Sequence, residues 1–435
     1  MQGFLRKILN QNRPEMNSKE RLQTTLQHRQ PDKICVDFGS TAVTGIHVGM
    51  IETLRRHYGL DDHPVKVTDP FQMLGEIEED LRRVIGVDVL GLGGRNSIFG
   101  YPFADWKEFR TPWGQVCLVP GGFTTDIEDS NGDLLMFPEG DTSASASARM
   151  PAGGYFYDAI VRQKGEIDDT KLDPADNLEE FQPFDRANLD HIRDNYRAVA
   201  DSGMGLMFSM GGTALGDIAF VPGMQLKNPK GIRDIAEWYM STVMRPDYLH
   251  EIFERQTETA LENLQKVYDI VGNGIDAINL CGTDFGTQDS QFCSAGQFDE
   301  LYKPYYRRLN DWIHANTSWK TFKHSCGAIV PLLPNFIEAG FDCINPVQIN
   351  AKDMDPAFLK REFGDKVVFW GGGVNTQTTL MYGTPSAVAD EVRMLCDVFG
   401  RDGGFVFNAV HNVQANVPVE NVVAMIDTIR EINGV

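Results

Sequence analysis

Eight short apolar runs alternate with longer amphipathic stretches along this chain of 435 residues. The runs cover residues 34–39, 87–92, 204–209, 277–281, 321–326, 342–345, 367–371 and 405–408. Apolar residues at helical spacing fill most of the gaps, as over 247–271 and 385–399. Eight strands separated by helices favour a closed (β/α)8 barrel over an open doubly wound sheet. No phosphate-binding glycine fingerprint follows the first run, so we predict an α/β fold of the TIM-barrel type.

Several segments complete or interrupt this alternation. Residues 1–15 predict a loose basic extension, and a helix capped by Ser18 follows over residues 18–28. Amphipathic patterns predict two more helices, over 45–58 and 71–85. Residues 95–185 break the rhythm after the second strand, and Asn131-Gly132 predicts a hairpin turn between 124–127 and 134–137. We expect one domain over residues 1–435, with the insertion 95–185 either covering the barrel mouth or forming a surface excursion.

The charge balance restricts the partners of the chain. It carries 40 Lys and Arg against 61 Asp and Glu, a formal net charge of −21. Such a chain repels a phosphate backbone, so nucleic acid is not expected, and a polycarboxylate substrate would need a local basic pocket. Seven scattered cysteines without a CxxC pair argue against a disulfide framework. No apolar run reaches membrane-spanning length and no signal-peptide core is present, which predicts a cytoplasmic protein without membrane contact.

The strongest chemical pattern is the pair His324 and Cys326 at the end of the fifth strand. Side chains two residues apart on an extended chain share a face, so an imidazole nitrogen and a sulfur can reach one small ion. His411 follows the eighth strand, and the active site of such a barrel lies at the carboxyl ends of its strands. His, Cys and His with an open position form a plausible catalytic zinc site. The alternative is a buried thiol beside a hydrogen-bonded histidine.

Other polar or aromatic side chains also fall near strand ends. Asp284 lies in a glycine-flanked loop after the fourth strand, where a metal-supporting group or a substrate contact is expected. Asp88, in the second strand, faces either the mouth, with a catalytic role, or the core. Cys281 is a reserve ligand. Candidates for substrate contact are Ser209, Gln288, Asn345 and Trp370.

A set of short motifs resembles the uroporphyrinogen decarboxylase superfamily. They are HSCG at 324–327, FDCINPVQ at 341–348, FWGG at 369–372, GTP at 383–385, HNVQ at 411–414 and PVEN at 418–421, with VDVL at 87–90, SMGG at 209–212 and DFGTQ at 284–288. The likeness covers roughly residues 18–435 apart from the insertion. It implies the (β/α)8 barrel of that superfamily.

The superfamily contains two kinds of enzyme, decarboxylases and methyltransferases. Its decarboxylases are free of cofactors and hold an octa-carboxylate tetrapyrrole with an arginine-rich N-terminal segment, whereas residues 35–42 here contain no arginine. Asp88 matches their central aspartate and His411 their C-terminal histidine, so a tetrapyrrole decarboxylase is the alternative. The zinc-dependent methyltransferases that work with corrinoid proteins show His-x-Cys and a distant third ligand, usually Cys. His324 and Cys326 match that pair, and His411 stands at the third position.

The resemblance therefore implies zinc, a corrinoid supplied by a partner protein, and methyl transfer between that corrinoid and a small methylated substrate, such as an aryl methyl ether, or a thiol. One thiolate and two neutral imidazoles leave the zinc site with a net charge of about +1. This makes it a stronger Lewis acid than a site with two thiolates, which favours attack on an ether. Asp88 and Asp284 are the expected catalytic carboxylates. The aromatic-rich insertion is compatible with a homodimer.

Overall fold

The computed structural model describes residues 15–163, 165–211 and 213–435, so the predicted extension over 1–15 lies outside the described residues except for its last position. The strands are β1 (Cys35–Val36), β2 (Val65–Asp69), β3 (Leu74–Gly75), β4 (Val89–Leu92), β5 (Lys107–Arg110), β6 (Val116–Val119), β7 (Leu134–Met136), β8 (Ala148–Met150), β9 (Asp158–Ala159), β10 (Gly205–Ser209), β11 (Ala277–Asn279), β12 (Lys320–His324), β13 (Cys343–Asn345), β14 (Val368–Trp370) and β15 (Phe405–Phe407).

The helices surround these strands. They are α1 (Ser18–Leu26), α2 (Val48–His57), α3 (Glu79–Ile85), α4 (Arg186–Val199), α5 (Ile235–Met244), α6 (Pro246–Val271), α7 (Ala295–Leu301), α8 (Lys303–Asn316), α9 (Leu333–Glu338), α10 (Pro356–Phe363), α11 (Thr379–Tyr382), α12 (Pro385–Phe399) and α13 (Val419–Asn433). Short 3-10 helices cover Pro138–Gly140, Asp169–Lys171, Pro174–Asn177 and Val330–Leu332. Among the described residues, no helix combines the length and apolar character that crossing a bilayer requires.

Eight parallel strands form a nearly closed barrel. Their order is β4, β10, β11, β12, β13, β14, β15 and β1, and β1 pairs with β15 through Cys35 opposite Val406. Between β4 and β1 the backbone N–H of Asp88 donates to the carbonyl of Val36 at 2.8 Å. Each of the eight predicted runs overlaps one of these strands, so the predicted TIM-barrel fold is confirmed.

The barrel interior is a packed apolar core that α1 closes from below. Alternate strand residues point inward, because successive side chains of a strand face opposite sides. Leu22 and Leu26 of α1 are buried in the same cluster. Burying each leucine contributes about 1.5–3 kcal/mol. The inward-facing strand residues of this cluster are Cys35, Val89, Met207, Ala277, Phe322, Cys343, Val368, Trp370 and Val406.

Asp88 belongs to this closed end of the barrel. It is buried just before β4, where its Oδ1 accepts hydrogen bonds from Ser18 Oγ at 2.7 Å and Arg21 Nη1 at 2.6 Å, and its Oδ2 accepts from Val36 N at 2.9 Å. Arg21 also pairs with Asp32 at 2.8 Å. The expectation of a catalytic Asp88 is therefore corrected: the carboxylate fastens α1 to the amino ends of the strands, away from the mouth.

The segment between β1 and β4 differs from its prediction. Residues 71–85 do not form one helix, because Leu74 and Gly75 form β3, which pairs antiparallel with β2. Only Glu79–Ile85 is helical. β2 and β3 join β5 and β6 of the insertion in a four-stranded sheet of order β3-β2-β6-β5. The insertion thus completes a sheet that begins before the second barrel strand.

The rest of the insertion packs beside the barrel. Asn131-Gly132 forms the expected turn, with Gly132 at φ 80° and Leu135 N donating to Ile127 O at 2.8 Å. The hairpin is limited to this bond and one antiparallel bridge between Glu128 and Leu134, and the longer ladder of β7 is with β8. Arg233, in the loop after β10, forms a buried ion pair with Glu180 at 2.5 Å. This pair ties the end of the insertion to a loop at the carboxyl ends of the strands.

Candidate metal centre

Three side chains from two strand ends converge at the mouth of the barrel. The ligand atoms of His324, Cys326 and His411 lie within 4.8 Å of one another. His324 Nε2 is 3.6 Å from Cys326 Sγ, and the rings of the two histidines are 5.6 Å apart at 73°. Nitrogen and sulfur ligands of one tetrahedral zinc lie about 3.3–3.8 Å apart, which follows from bond lengths of about 2.0–2.3 Å. The His–Cys separation already falls in that range.

His324 is held in the tautomer that a metal needs. Its Nδ1 lies 2.7 Å from the Oδ1 of Asn345, which is directly opposite on β13. The Nδ2 of Asn345 donates to the carbonyl of Trp370 at 2.9 Å, and a carbonyl can only accept. The Asn345 oxygen must therefore face His324, so Nδ1 carries the proton. Nε2 is left with its lone pair directed at Cys326.

Cys326 is placed by the loops that follow β11 and β12. Its backbone N–H donates to Asp284 Oδ1 at 2.7 Å. The next residue, Gly327, has φ +92°, and a Cβ there would overlap the backbone of Gly286, so the close approach of the two loops requires glycine. Burial raises the pKa of the Cys326 thiol, and the Asp284 carboxylate raises it further. A cation that binds this sulfur has to displace its proton.

His411 reaches the centre from the loop after β15. Hydrogen bonds on both sides fix this loop: Val410 N donates to Val374 O at 3.1 Å, and Gly45 N donates to Asn412 Oδ1 at 2.6 Å. Burial, and then the charge of His324, lower the pKa of His411 to about 4. The imidazole is therefore neutral near pH 7 and has a lone pair available for a metal.

Two carboxylates lie beside the cluster. Asp284 Oδ1 is 3.7 Å from His324 Nε2, and the Asp284 side chain is 26% exposed, so it borders the open side. Asp217, which the sequence interpretation missed, accepts hydrogen bonds from Gly282 N and Ala219 N, both at 3.0 Å. Burial raises the pKa of Asp217, and the charge of Asp284 adds to the effect. Its position after Gly216, in the loop beyond β10, is the same kind of signal that drew attention to Asp284.

The remaining predicted contacts divide between the mouth and the scaffold. Ser209 ends β10 and is half-buried. Asn345 accepts the hydrogen bond from His324 Nδ1 described above. Gln288 is exposed and binds the carbonyl of Asn350 at 2.5 Å, so it holds two loops together. Cys281 lies 3.5 Å from the hydroxyls of Thr283 and Tyr306 and is not part of the cluster.

Trp370 does not face a substrate. The side chain is fully buried inside the barrel, with its ring 5.3 Å from that of Phe322 in an edge-on contact. Its Nε1 donates to Asp37 Oδ2 at 2.9 Å. Burial raises the pKa of Asp37 to about 6. The expected substrate contact of Trp370 is corrected to a supporting role below the mouth.

A buried lysine neighbours the centre but points away from it. Lys323 Nζ donates to the carbonyls of Thr283 and His324, both at 2.7 Å, and lies 4.9 Å from the centre of the Phe285 ring. Burial lowers the pKa of this amine. Because successive residues of β12 face opposite sides, Lys323 lies in the helix layer while His324 faces the mouth. The ammonium group is thus bound by two backbone carbonyls. It does not point into the mouth, where a polycarboxylate would bind.

A separate cavity of about 700 Å³ lies between α2 and the insertion. His47, Trp113 and Tyr155 form one wall, and Glu52 and Arg56 contribute charged groups. None of the three cluster residues lines it. This cavity and the convergence of ligand atoms therefore lie in different parts of the structure, and the ligand atoms favour the mouth of the barrel as the site.

Comparison with known proteins supports this architecture. A family model described as uroporphyrinogen decarboxylase matches residues 175–432. The uroporphyrinogen decarboxylase of Psychromonas ingrahamii is 34% identical over 80 residues, which cover 18% of this chain and 22% of that protein. The enzyme of that name from Methylococcus capsulatus is 32% identical over 186 residues, or 43% and 49% of the two chains. The chain thus matches between about a fifth and a half of the length of these curated relatives.

One solved structure resembles nearly the whole chain. It is a methyltransferase from Methanosarcina mazei, with a TM-score of 0.51 and 14% sequence identity, and the superposition covers 96% of this chain and 99% of that one. At this identity the likeness concerns the fold. The family model, which matches more than half of the residues, leads to one assignment. This chain belongs to the uroporphyrinogen decarboxylase family.

Proposed function

We propose that the protein is a zinc-dependent methyltransferase that moves a methyl group between a small methylated substrate or a thiol and the corrinoid of a partner protein. The observation that carries this proposal is the convergence of His324, Cys326 and His411, with ligand atoms within 4.8 Å of one another at the barrel mouth. A set of two imidazoles and one thiol leaves a fourth position for a substrate atom, as catalytic zinc sites do.

The residues present fit a zinc ion by their chemistry. His324 Nε2 has a free lone pair because Nδ1 is held by Asn345, and His411 is neutral at physiological pH. Cys326 supplies the sulfur that favours zinc over magnesium or calcium, which prefer oxygen ligands. Bound zinc would supply a Lewis acid that polarises an ether oxygen or lowers the pKa of a thiol.

The remaining groups of the mouth would set the charge of the metal site and orient the substrate. Having His411 at the third position leaves the metal site with a net charge of about +1, which favours release of an oxygen leaving group. Asp284, on the open side, is placed to interact with a substrate bound at the fourth position. The preferred direction is therefore transfer of the methyl carbon from an ether, such as an aryl methyl ether, to the low-valent corrinoid of the partner.

The decarboxylase alternative rests on the names of the curated relatives and on Asp88 with His411. Two observations weigh against it. Asp88 is bound to Arg21 and Ser18 at the opposite end of the barrel from His411. Lys323, the buried cation next to the cluster, is bound to backbone carbonyls. A polycarboxylate substrate would need cations directed into the mouth.

The proposal is tested by metal content. The purified protein should contain one zinc per chain by elemental analysis, and Cys326→Ala should lose it. Cys281→Ala is the matched control, because this thiol is buried nearby but faces Tyr306 and Thr283, and it should keep the metal. Absence of stoichiometric zinc in the unmodified protein, or full zinc content in Cys326→Ala, would contradict the proposal.

Activity is tested separately. Anaerobic incubation with a corrinoid protein and a panel of methyl ethers, methylamines and thiols should change the corrinoid spectrum with one class of substrate. Release of carbon dioxide from uroporphyrinogen by the metal-free protein would establish the decarboxylase alternative instead.

A further inference from the structure

Tyr239 lies on α5, which follows the loop at the carboxyl end of β10. The neighbouring Trp238 is 4% exposed and packs against Phe253 of α6, with ring centroids 6.4 Å apart. Ser241 is fully buried on the same helix. The ring of Tyr239 stacks on Phe292, from the loop after β11, at 4.6 Å and 17°. These contacts fix the direction of the phenol ring, so its hydroxyl is held in one place.

The hydroxyl of Tyr239 is buried and has no hydrogen-bond partner among the described residues. Phe292, on which the Tyr239 ring stacks, donates its backbone N–H at 2.8 Å to the carbonyl of Phe285, the residue after Asp284. Burial raises the pKa of Tyr239, and the charges of Asp284 and Asp217 raise it further. Asp217 directs both of its oxygens to backbone N–H groups, and Asp284 Oδ1 is bound to Cys326 N. The phenol therefore stays protonated beside two carboxylates to which it donates no hydrogen bond.

An unpaired acceptor completes this picture. Asn279 ends β11 on the inward-facing side, two residues from Ala277 of the barrel core, and its Oδ1 is buried without a partner in the described part of the chain. Buried polar atoms in a native protein are nearly always paired, and leaving one unpaired destabilises the fold. The Tyr239 hydroxyl and Asn279 Oδ1 are thus a buried donor and a buried acceptor that a bound ligand can pair.

We infer that Tyr239 is a substrate-binding residue that donates a hydrogen bond to the oxygen of a methyl ether and to the negative charge that this oxygen gains. The inference rests on the proposed function and specifies its substrate as a methyl donor with an oxygen lone pair. A quaternary ammonium has no lone pair to accept such a bond.

The reaction step balances with the reactants already named. The bond between the methyl carbon and the oxygen breaks, and its electron pair stays on the oxygen. The methyl carbon forms its new bond with the low-valent corrinoid of the partner, which supplies the electron pair for that bond. Tyr239 keeps its proton and stabilises the oxygen by hydrogen bonding, as donors in an oxyanion hole do.

The test compares Tyr239→Phe with the unmodified protein in two measurements, both on zinc-loaded full-length chains. Calorimetric titration gives the dissociation constants of phenol, the product that methoxybenzene would leave, and of toluene, in which a methyl group replaces the hydroxyl. The unmodified protein should bind phenol about tenfold more tightly than toluene, and Tyr239→Phe should lose that preference, because one hydrogen bond is removed. Equal binding of phenol and toluene by the unmodified protein, or an unchanged preference in the variant, would overturn the inference.

Thermal unfolding supplies the second measurement. Since the hydroxyl of Tyr239 has no partner within the described ranges, Tyr239→Phe should melt at the same temperature as the unmodified protein or higher. Tyr306→Phe is the matched control: its buried hydroxyl donates to Thr283 Oγ1 at 2.9 Å, so this variant should melt lower and keep the preference for phenol. A loss of stability in Tyr239→Phe as large as in Tyr306→Phe would assign the hydroxyl a structural role and overturn the inference. If the protein discriminates phenol through Tyr239 but contains no zinc, the proposed function fails and the Tyr239 assignment stands.

Discussion

Substitutions at Asn345 should separate metal affinity from stability. This fully buried amide accepts from His324 Nδ1 at 2.7 Å and donates to the carbonyl of Trp370 at 2.9 Å. Leucine removes both hydrogen bonds with little change in volume. Aspartate keeps the acceptor for His324 and removes only the donor to Trp370.

The two bonds set the expected magnitudes. A buried polar group that loses its partner costs about 1–3 kcal/mol. Asn345→Leu leaves two such groups without a partner, the His324 N–H and the Trp370 carbonyl. It should therefore lower the free energy of unfolding by about 2–6 kcal/mol. Loss of the hydrogen bond that orients a ligating histidine weakens metal binding by about 10–100-fold. Asn345→Asp should also be less stable, but it should bind zinc at least as tightly as the unmodified protein.

Competition with a chromophoric chelator measures the zinc affinity, and denaturant unfolding measures the stability. Asn310→Leu is the control, since Asn310 is buried in the helix layer and donates to Ala339 O at 2.7 Å. It should lose stability without any change in zinc affinity. If Asn345→Leu bound zinc within twofold of the unmodified protein, the tautomer argument for His324 would be refuted.

Two further predictions concern buried carboxylates. Burial raises the pKa of Asp37 from 3.8 to about 6, so its contribution to stability is fully present below the unfolded pKa and is lost as the pH rises through about 6. At 1.36 kcal/mol per unit the loss is about 3 kcal/mol. Unfolding free energies measured between about pH 4 and pH 7 should show this decline, and Asp37→Asn should reduce it; parallel curves for the two proteins would contradict the assignment. Arg21→Met leaves Asp88 and Asp32 without their cation and should lower stability by about 3–5 kcal/mol with unchanged zinc content, as urea unfolding and elemental analysis would report. Zinc loss in this variant would contradict the separation of the two barrel ends.

The fold could be predicted because its signal is local. Each barrel strand is a short apolar run, and the intervening helices carry their own periodicity, so no distant partner had to be known. The prediction of a helix over residues 71–85 is wrong at its start for the opposite reason. Leu74 and Gly75 form a strand because β2 lies beside them, and β2 in turn pairs with β6, about 50 residues further along. Pairing of this kind leaves little trace in a window of sequence.

The site was likewise predictable where its signal is local, and not where it depends on contacts distant in sequence. The spacing of His324 and Cys326 within one strand fixes their shared face. The sequence leaves the direction of Asp88 open between mouth and core and predicts a substrate contact for Trp370. The partners that decide these directions, Arg21 from α1 and Asp37 after β1, are distant in the chain. Tyr239 carries no sequence signal, because only the packing of α5 buries its hydroxyl.

The pairing of β1 with β15 also bears on how the chain folds. Cys35 lies opposite Val406, and Asn433 Nδ2 and Oδ1 both bind the backbone of Ile34 at 2.9 and 2.8 Å. Contacts this distant in sequence carry a large entropy of loop closure. During synthesis, this edge of β1 can be paired only after β15 has been made. One edge of β1 therefore stays unpaired until residues 405–407 have been synthesised, and an unpaired strand edge is a site at which other chains can pair.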